Sequence, residues 1–205
     1  REIYGGGRGV GGVGGLDTLE GPTLDIDTFW RHSLFCGLLA RLLGGRAGYR
    51  GTERLFVAGL LHDVGALALA HGAPTLTAEL HQEAGGLESG LHLLERERLG
   101  FTHAELGAEL LARWGLPESI TTAIRMHHRP ARAPSWGQES ALVHVAEALA
   151  NTSELSSFSE RAEPAAAIAA GAREQAGLDP AAGDDTALLG EAGLQFTDVA
   201  VAMGR

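Results

Sequence analysis

One apolar segment of the chain, GLLHDVGALALAHG at residues 59–72, contains an adjacent histidine and aspartate, His62 and Asp63. Most of its other residues are of the kinds that folded proteins bury, and a polar group taken out of water is costly unless it finds a partner. Either neighbouring side chains satisfy the pair, or the pair itself binds something, for which a metal ion is the best fit. Any fold of this chain has to meet that requirement.

The periodicity of the apolar residues predicts the fold class. After the first 24 residues they recur at helical spacing. A first helix is predicted over 27–45, with Asp27 as its N-cap and Gly44 as its stop. A second is predicted over 52–72, with an end or a bend at Gly65. No alternating strand pattern of any length occurs, so we expect an all-α fold, a helical bundle with short connections.

Further helical segments follow along the chain. Thr102 and Glu105 form a capping-box pattern that starts one of them, and Gly115 and Pro117 mark its end and the start of the next. The predicted segments are a more polar, partly helical 78–100, then 102–117, 117–130 and 138–151, and the weaker helices of an Ala- and Gly-rich tail, 160–205.

Composition excludes several functions and locations. A net charge of −10 argues against a DNA-binding surface. All 16 basic residues are arginines, which excludes Schiff-base chemistry on a lysine. The single cysteine, Cys36, cannot form an internal disulfide, which fits a reducing compartment. No secretory signal is evident, and we expect no apolar stretch of the roughly 18–20 residues that span a membrane. The expected location is the cytoplasm, without membrane or DNA contact.

Candidate metal ligands are spread over successive predicted helices, whose inward faces can converge in a bundle. Imidazole and carboxylate groups bind Fe, Mn, Zn or Ni, and a carboxylate can bridge two ions. The candidates are His32, the pair His62 and Asp63, His103, the doublet His127 and His128, and Glu147, one turn after His144.

A polar core network is the competing interpretation. A lone buried histidine is more often a hydrogen-bonded core residue than a ligand, and a histidine doublet can be a solvated helix end. His71, His81 and His92 lie in polar or loop-like stretches, so we expect them to be solvated. Spacing alone leaves the metal site and the polar network equally open.

Four motifs resemble, in order, the HDOD domain, the HD-related output domain of bacterial signalling proteins and a relative of HD and HD-GYP phosphohydrolases. They are FWRHS, AGLLHDVGALAL, LGFTHAELGAELLARWGLPESITTAIRMHH and LVHVAEALAN. The resemblance implies a helical domain over 25–205, with an HD core at about 25–151 and C-terminal helices at 160–205. Residues 1–24, with eight glycines in 5–15, would be a linker or the remnant of a preceding helical layer. Because the chain begins at Arg1, we expect it to be part of a longer protein.

The resemblance also implies ligands for one or two divalent transition-metal ions, with Fe or Mn favoured, Zn or Ni possible, and no organic cofactor. Carried over by motif, one set is His32, His62, Asp63 and Glu147, with His144 as a substitute for the last, and the other is His103, His127 and His128.

Three departures from the enzymatic pattern bear on activity. Glu147 stands where aspartate is usual, which moves the carboxylate by roughly 1 Å or more. Ala66 occupies the place of the HD-GYP lysine, and RPARAP follows the histidine doublet instead of a GYP segment. The arginines of this region, Arg125, Arg129 and Arg132, could bind phosphate or be solvated.

Two functions remain open at this point. The first is a regulatory output module that acts through signalling proteins or self-association. The alternative is a metal-dependent phosphohydrolase or phosphodiesterase acting on a nucleotide or cyclic dinucleotide, with Asp63, His103 and His128 as candidate catalytic residues.

Overall fold

The structure is a computed structural model that describes residues 25–85, 90–153, 168–180 and 185–202. Regular structure within these ranges is helical and includes no strand, which confirms the predicted all-α class. The segment 1–24, predicted as a linker or remnant, lies outside them. The helices are α1 (Ile26–Arg46), α2 (Thr52–Leu61), α3 (Val64–Gly72), α4 (Pro74–Glu83), α5 (Leu91–Leu99), α6 (His103–Arg113), α7 (Glu118–Met126), α8 (Gly137–Ala150), α9 (Ala172–Gln175) and α10 (Thr186–Ala202).

The core is built around α1 and α8. From Glu139 to its end at Ala150, α8 is buried along its whole length, as expected for a helix that is apolar on nearly all sides. Phe35 of α1 and Phe196 of α10 meet edge to face in the main core, with ring centroids 6.0 Å apart. A second apolar cluster joins α6, α7 and the middle of α8 around Ile124. Together these cores hold the ends of several helices close to one point.

Close helix crossings explain how that point is reached. A Cβ atom on Gly59 of α2 would lie 2.9 Å from the Cys36 carbonyl oxygen of α1, and one on Gly65 of α3 would overlap the His103 carbonyl oxygen of α6. Only glycine allows backbones to approach this closely. The chain between α2 and α3 is therefore pressed against α1 on one side and α6 on the other.

Several predicted helix boundaries hold and others do not. The capping box of Thr102 and Glu105 is present at the start of α6. The N-cap of α1 is Asp25 rather than Asp27, because the Asp25 carboxylate accepts the Thr28 backbone N–H at 2.9 Å. Gly44 does not end α1, which continues to Arg46.

Gly65 was predicted to end or bend the second helix. The interruption instead falls just before it, at the pair His62 and Asp63, and Gly65 lies in the first turn of α3. Its role is the close crossing with α6.

The stretch Thr52–Gly72 has the length and mean hydropathy of a membrane-spanning helix, which the sequence analysis did not expect. The structure breaks it into α2 and α3 at two buried polar residues. It contacts α1, α6 and α7. Buried core helices can have the same length and mean hydropathy, and we assign this stretch to the core.

Candidate metal centre

Six of the seven predicted ligands come from four places in the fold and meet in two compact clusters. The first cluster consists of His32 on α1 with His62 and Asp63 in the turn between α2 and α3; the second consists of His103 at the start of α6 with His127 and His128 after α7. In each cluster the possible ligand atoms lie within 4.8 Å of one another. Each is compact enough to hold one ion.

Asp63 lies between the two clusters. Its Oδ2 atom is 3.0 Å from His62 Nε2, while its Oδ1 atom is 3.3 Å from His103 Nε2 and 3.9 Å from His127 Nε2. One carboxylate oxygen thus faces each cluster. This is the arrangement that a carboxylate shared by two ions requires.

Two ring orientations are fixed by the end of the helix that carries them. His62 Nδ1 donates to the Gly59 carbonyl at 2.7 Å, and His127 Nδ1 donates to the Ile124 carbonyl at 2.6 Å. Both acceptors lie three residues earlier in the chain. Donation from Nδ1 turns the Nε2 atom of each ring into the site, as in histidines that ligate metals.

The chemistry of the donor set fits a cation. His62 Nε2, His127 Nε2 and Asp63 Oδ1 are buried and make no hydrogen bond of normal geometry within the described residues. A buried polar atom without a partner is costly, and three of them facing one another are rare in a folded protein. Divalent ions bound in the two clusters would satisfy all three atoms.

Burial and charge act in opposite directions on the first cluster. Burial alone would lower the pKa of His62, but the Asp63 carboxylate outweighs it and holds the pKa well above its ordinary value. Burial would likewise raise the pKa of Asp63, yet the charge of His62 and the nearby ring of His103 keep that pKa well below its ordinary value. The site therefore holds an ionised carboxylate that favours positive charge beside it.

The histidines of the second cluster differ in the direction in which their pKa is shifted. Burial disfavours charge on His103, but the carboxylates of Asp63 and Glu95 beside it raise its pKa to about 10. Burial, followed by the charge of neighbouring histidines, lowers the pKa of His127 and His128 well below the usual value. His127 and His128 are therefore neutral imidazoles, the form that binds a metal.

Glu95 is a site residue that the sequence analysis missed. It is 2% exposed, and its Oε2 atom accepts both the backbone N–H of His103 at 2.8 Å and the Nδ1–H of the same residue at 2.7 Å. In the sequence it stands in LLERER beside Glu97, an equivalent acid on a polar helix. No local signal separates the buried glutamate from the exposed one.

His92 was predicted to be solvated, and this is wrong. Its ring stacks on His128 with centroids 4.2 Å apart and planes 11° from parallel, and burial lowers its pKa to about 4. The packing of α5 beside the second cluster puts it there. His81 is also half-buried, whereas His71 is exposed as predicted.

Glu147, which the family resemblance groups with His32, His62 and Asp63, lies beside the second cluster. Its Oε2 atom lies 3.6 Å from His127 Nε2, and its Oε1 atom lies 3.7 Å from His128 Nδ1. His144, one turn earlier, belongs to neither cluster: its Nε2 atom accepts the backbone N–H of Ala169 at 2.9 Å. Glu147 is thus the residue of α8 that faces the candidate ligands.

The arginines near the histidine doublet lie at the surface. Arg125 and Arg129 have side chains 40% exposed and contact Glu109 and Glu105, each at 3.8 Å. Arg132 is exposed. Two of the three therefore have acidic neighbours.

Comparison with known proteins shows which family this helical architecture matches. The model of the HDOD domain family matches residues 12–130. An uncharacterised protein of Treponema pallidum (strain Nichols) is 33% identical over 126 residues, which are 60% of this chain and 24% of that protein. The chain thus spans about a quarter of the length of this relative.

Two solved structures share the fold. The response regulator MmoQ of Methylococcus capsulatus str. Bath is 27% identical with a TM-score of 0.59, covering 82% of this chain and 62% of that one. A candidate phosphohydrolase of Shewanella amazonensis SB2B is 22% identical with a TM-score of 0.61, covering 87% and 62%. With more than half of its length matched by the family model, the chain belongs to the HDOD domain family.

Proposed function

We propose that this HDOD domain is a metal-binding regulatory module that passes a signal through protein contacts. The observation that carries the metal-binding part is the set of buried atoms His62 Nε2, His127 Nε2 and Asp63 Oδ1, which face one another without hydrogen bonds among the described residues. Ions bound by the two clusters would replace unfavourable burial with coordination bonds.

The first cluster would hold one ion and the second cluster another, with Asp63 shared between them. Glu147 is placed to approach the second ion from α8. A set of imidazole nitrogens and carboxylate oxygens suits Fe or Mn, and also Zn or Ni. No organic cofactor is needed.

The proposal of a regulatory role, rather than an enzymatic one, rests on a residue that the sequence lacks. Ala66 in α3 takes the place of the HD-GYP lysine, and the whole sequence contains no lysine to replace it. MmoQ of Methylococcus capsulatus str. Bath, which shares the fold, is a response regulator. We therefore propose protein partners, either signalling proteins or a second copy of this chain, and a cytoplasmic setting without DNA or membrane contact.

Metal analysis tests the proposal. Protein purified without chelator should carry between one and two transition-metal ions per chain, and His62→Ala and Asp63→Ala should lower that number. Plasma mass spectrometry provides the measurement. A metal content that is well below one ion per chain in wild type and unchanged in both variants would contradict the proposal.

A second candidate function, phosphohydrolase activity, is favoured by the position of Asp63 between the two clusters. When bound, a pair of ions supplies an activated water and neutralises phosphate charge. His103 and His128 are the histidines placed to move a proton.

We expect this activity to be very weak or absent. Glu147 carries one methylene more than the usual aspartate, and a misplacement of about 1 Å can lower a rate on the order of 100-fold. By the same argument, Glu147→Asp should tighten metal binding. Turnover of cyclic dinucleotides and simple phosphodiesters by both proteins, with Mn or Fe supplied, checks this. Robust turnover by wild type, lowered in Glu147→Asp, would favour the phosphohydrolase function over the regulatory one.

A further inference from the structure

His103 is oriented differently from His62 and His127. His62 and His127 donate Nδ1–H to carbonyls of their own helices. His103 is the first residue of α6 and has no preceding helical turn to offer a carbonyl. Its Nδ1–H is accepted instead by Glu95, a side chain from a separate helix, α5.

We propose that Glu95 is the positioning residue of the second metal site, fixing the ring of His103 so that Nε2 faces the ion. The inference rests on the metal-binding function proposed above. The carboxylate fixes the ring in two ways, because Oε2 accepts both the ring Nδ1–H and the backbone N–H of His103. With Nδ1 occupied, Nε2 is directed at Asp63 Oδ1, 3.3 Å away, and at His128 Nε2, 2.8 Å away.

Charge gives Glu95 a role that a carbonyl cannot fill. A carboxylate that accepts Nδ1–H makes the opposite nitrogen a stronger donor to a metal ion. Glu95 is buried, so water screens this effect little. In the first cluster, His62 has a carbonyl acceptor in its own helix, and the ion there would not depend on α5.

A purely structural role for Glu95 is the competing explanation. Its carboxylate also caps a free N–H at the start of α6 and fastens α5 to the domain. Such a role would make Glu95→Gln less stable, but it would not weaken one ion selectively. The two explanations therefore differ in which ion responds.

Glu95→Gln keeps the size of the side chain and removes its charge. The matched control is Glu139→Gln, which changes another buried glutamate, bonded to Tyr49 outside the two clusters. Co²⁺ titration, followed by visible absorption, should show one ion bound as in wild type and the other weakened roughly 10–100-fold in Glu95→Gln. Glu139→Gln should bind both ions like wild type.

A second measurement needs no metal. In chelator-treated protein, the Nδ1 proton of His103 should give a low-field, slowly exchanging NMR signal that moves upfield and exchanges faster in Glu95→Gln but not in Glu139→Gln. An unchanged signal would overturn the inference, as would equal weakening of both ions. If wild type binds no Co²⁺ at all, the metal-binding proposal fails, and the NMR signal alone decides whether Glu95 positions His103.

Discussion

The first and second clusters contain similar side chains but are assembled differently. The first lies entirely within the core, where His32 and His62 are both 0% exposed and the turn carrying Asp63 is enclosed by α1 and α6. The second borders on α5, whose contacts with the rest of the domain are few. Two of its histidines, His103 and His128, contact that helix through Glu95 and His92.

This difference shows which parts of a site can be robust to change. When a carbonyl of the same helix orients a histidine ring, the helix alone fixes the ring and no residue from another helix is needed. Orientation by a side chain of another helix persists only while that helix stays docked. We therefore expect the first cluster to tolerate changes outside the core and the second to respond to them.

The largest effect is expected where the two clusters are held together. Gly65→Ala would place a Cβ atom against the His103 carbonyl and force α3 away from α6. We expect a loss of about 3 kcal/mol in the free energy of unfolding. Gly72→Ala, in the same helix, is the control, because no atom lies within 4 Å of its added Cβ. Urea denaturation of both variants measures this, and equal stability of the two would refute the close crossing.

The next prediction separates the clusters by their ions. His32→Ala should abolish the first ion and spare the second, whereas His128→Ala should do the reverse. Asp63→Ala should weaken both, since its two oxygens face different clusters. Metal content after dialysis against buffered Mn²⁺ measures all three. Loss of both ions in His32→Ala would show that the clusters form a single site.

The sequence predicts those features of the site that are determined by residues close together along the chain. The pair His62 and Asp63 could be identified because two polar residues in an apolar run conflict with their own surroundings. Helix type followed from periodicity. The cap of α1 was placed at Asp27 instead of Asp25 because both acids stand within one turn, and the bond to Thr28 decides between them.

The remaining features arise only when helices pack. Gly65 looks like an ordinary helix breaker until α6 is seen against it. His92 and Glu95 stand in a polar stretch that matches a solvated helix, and their burial depends on the position of α5. The residues adjacent in sequence do not reveal where α5 packs.

The smallest expected effect concerns His144, which the family pattern left open as a substitute ligand. Its Nε2 atom accepts the Ala169 backbone N–H, which ties the 168–180 segment to α8. His144→Phe keeps an aromatic ring and removes the acceptor, so stability should fall by about 1 kcal/mol. Metal content should not change. A variant that loses an ion would make His144 a ligand, and thermal unfolding with metal analysis distinguishes the two.

The central claim is that two ions share Asp63, and crystallography at the manganese absorption edge tests it most directly. Crystals grown with Mn²⁺ should show two anomalous difference peaks, one beside His32 and His62 and the other beside His103, His127 and His128, with the Asp63 carboxylate between them. Absence of both peaks at saturating Mn²⁺, or peaks that lie away from Asp63, would contradict the account.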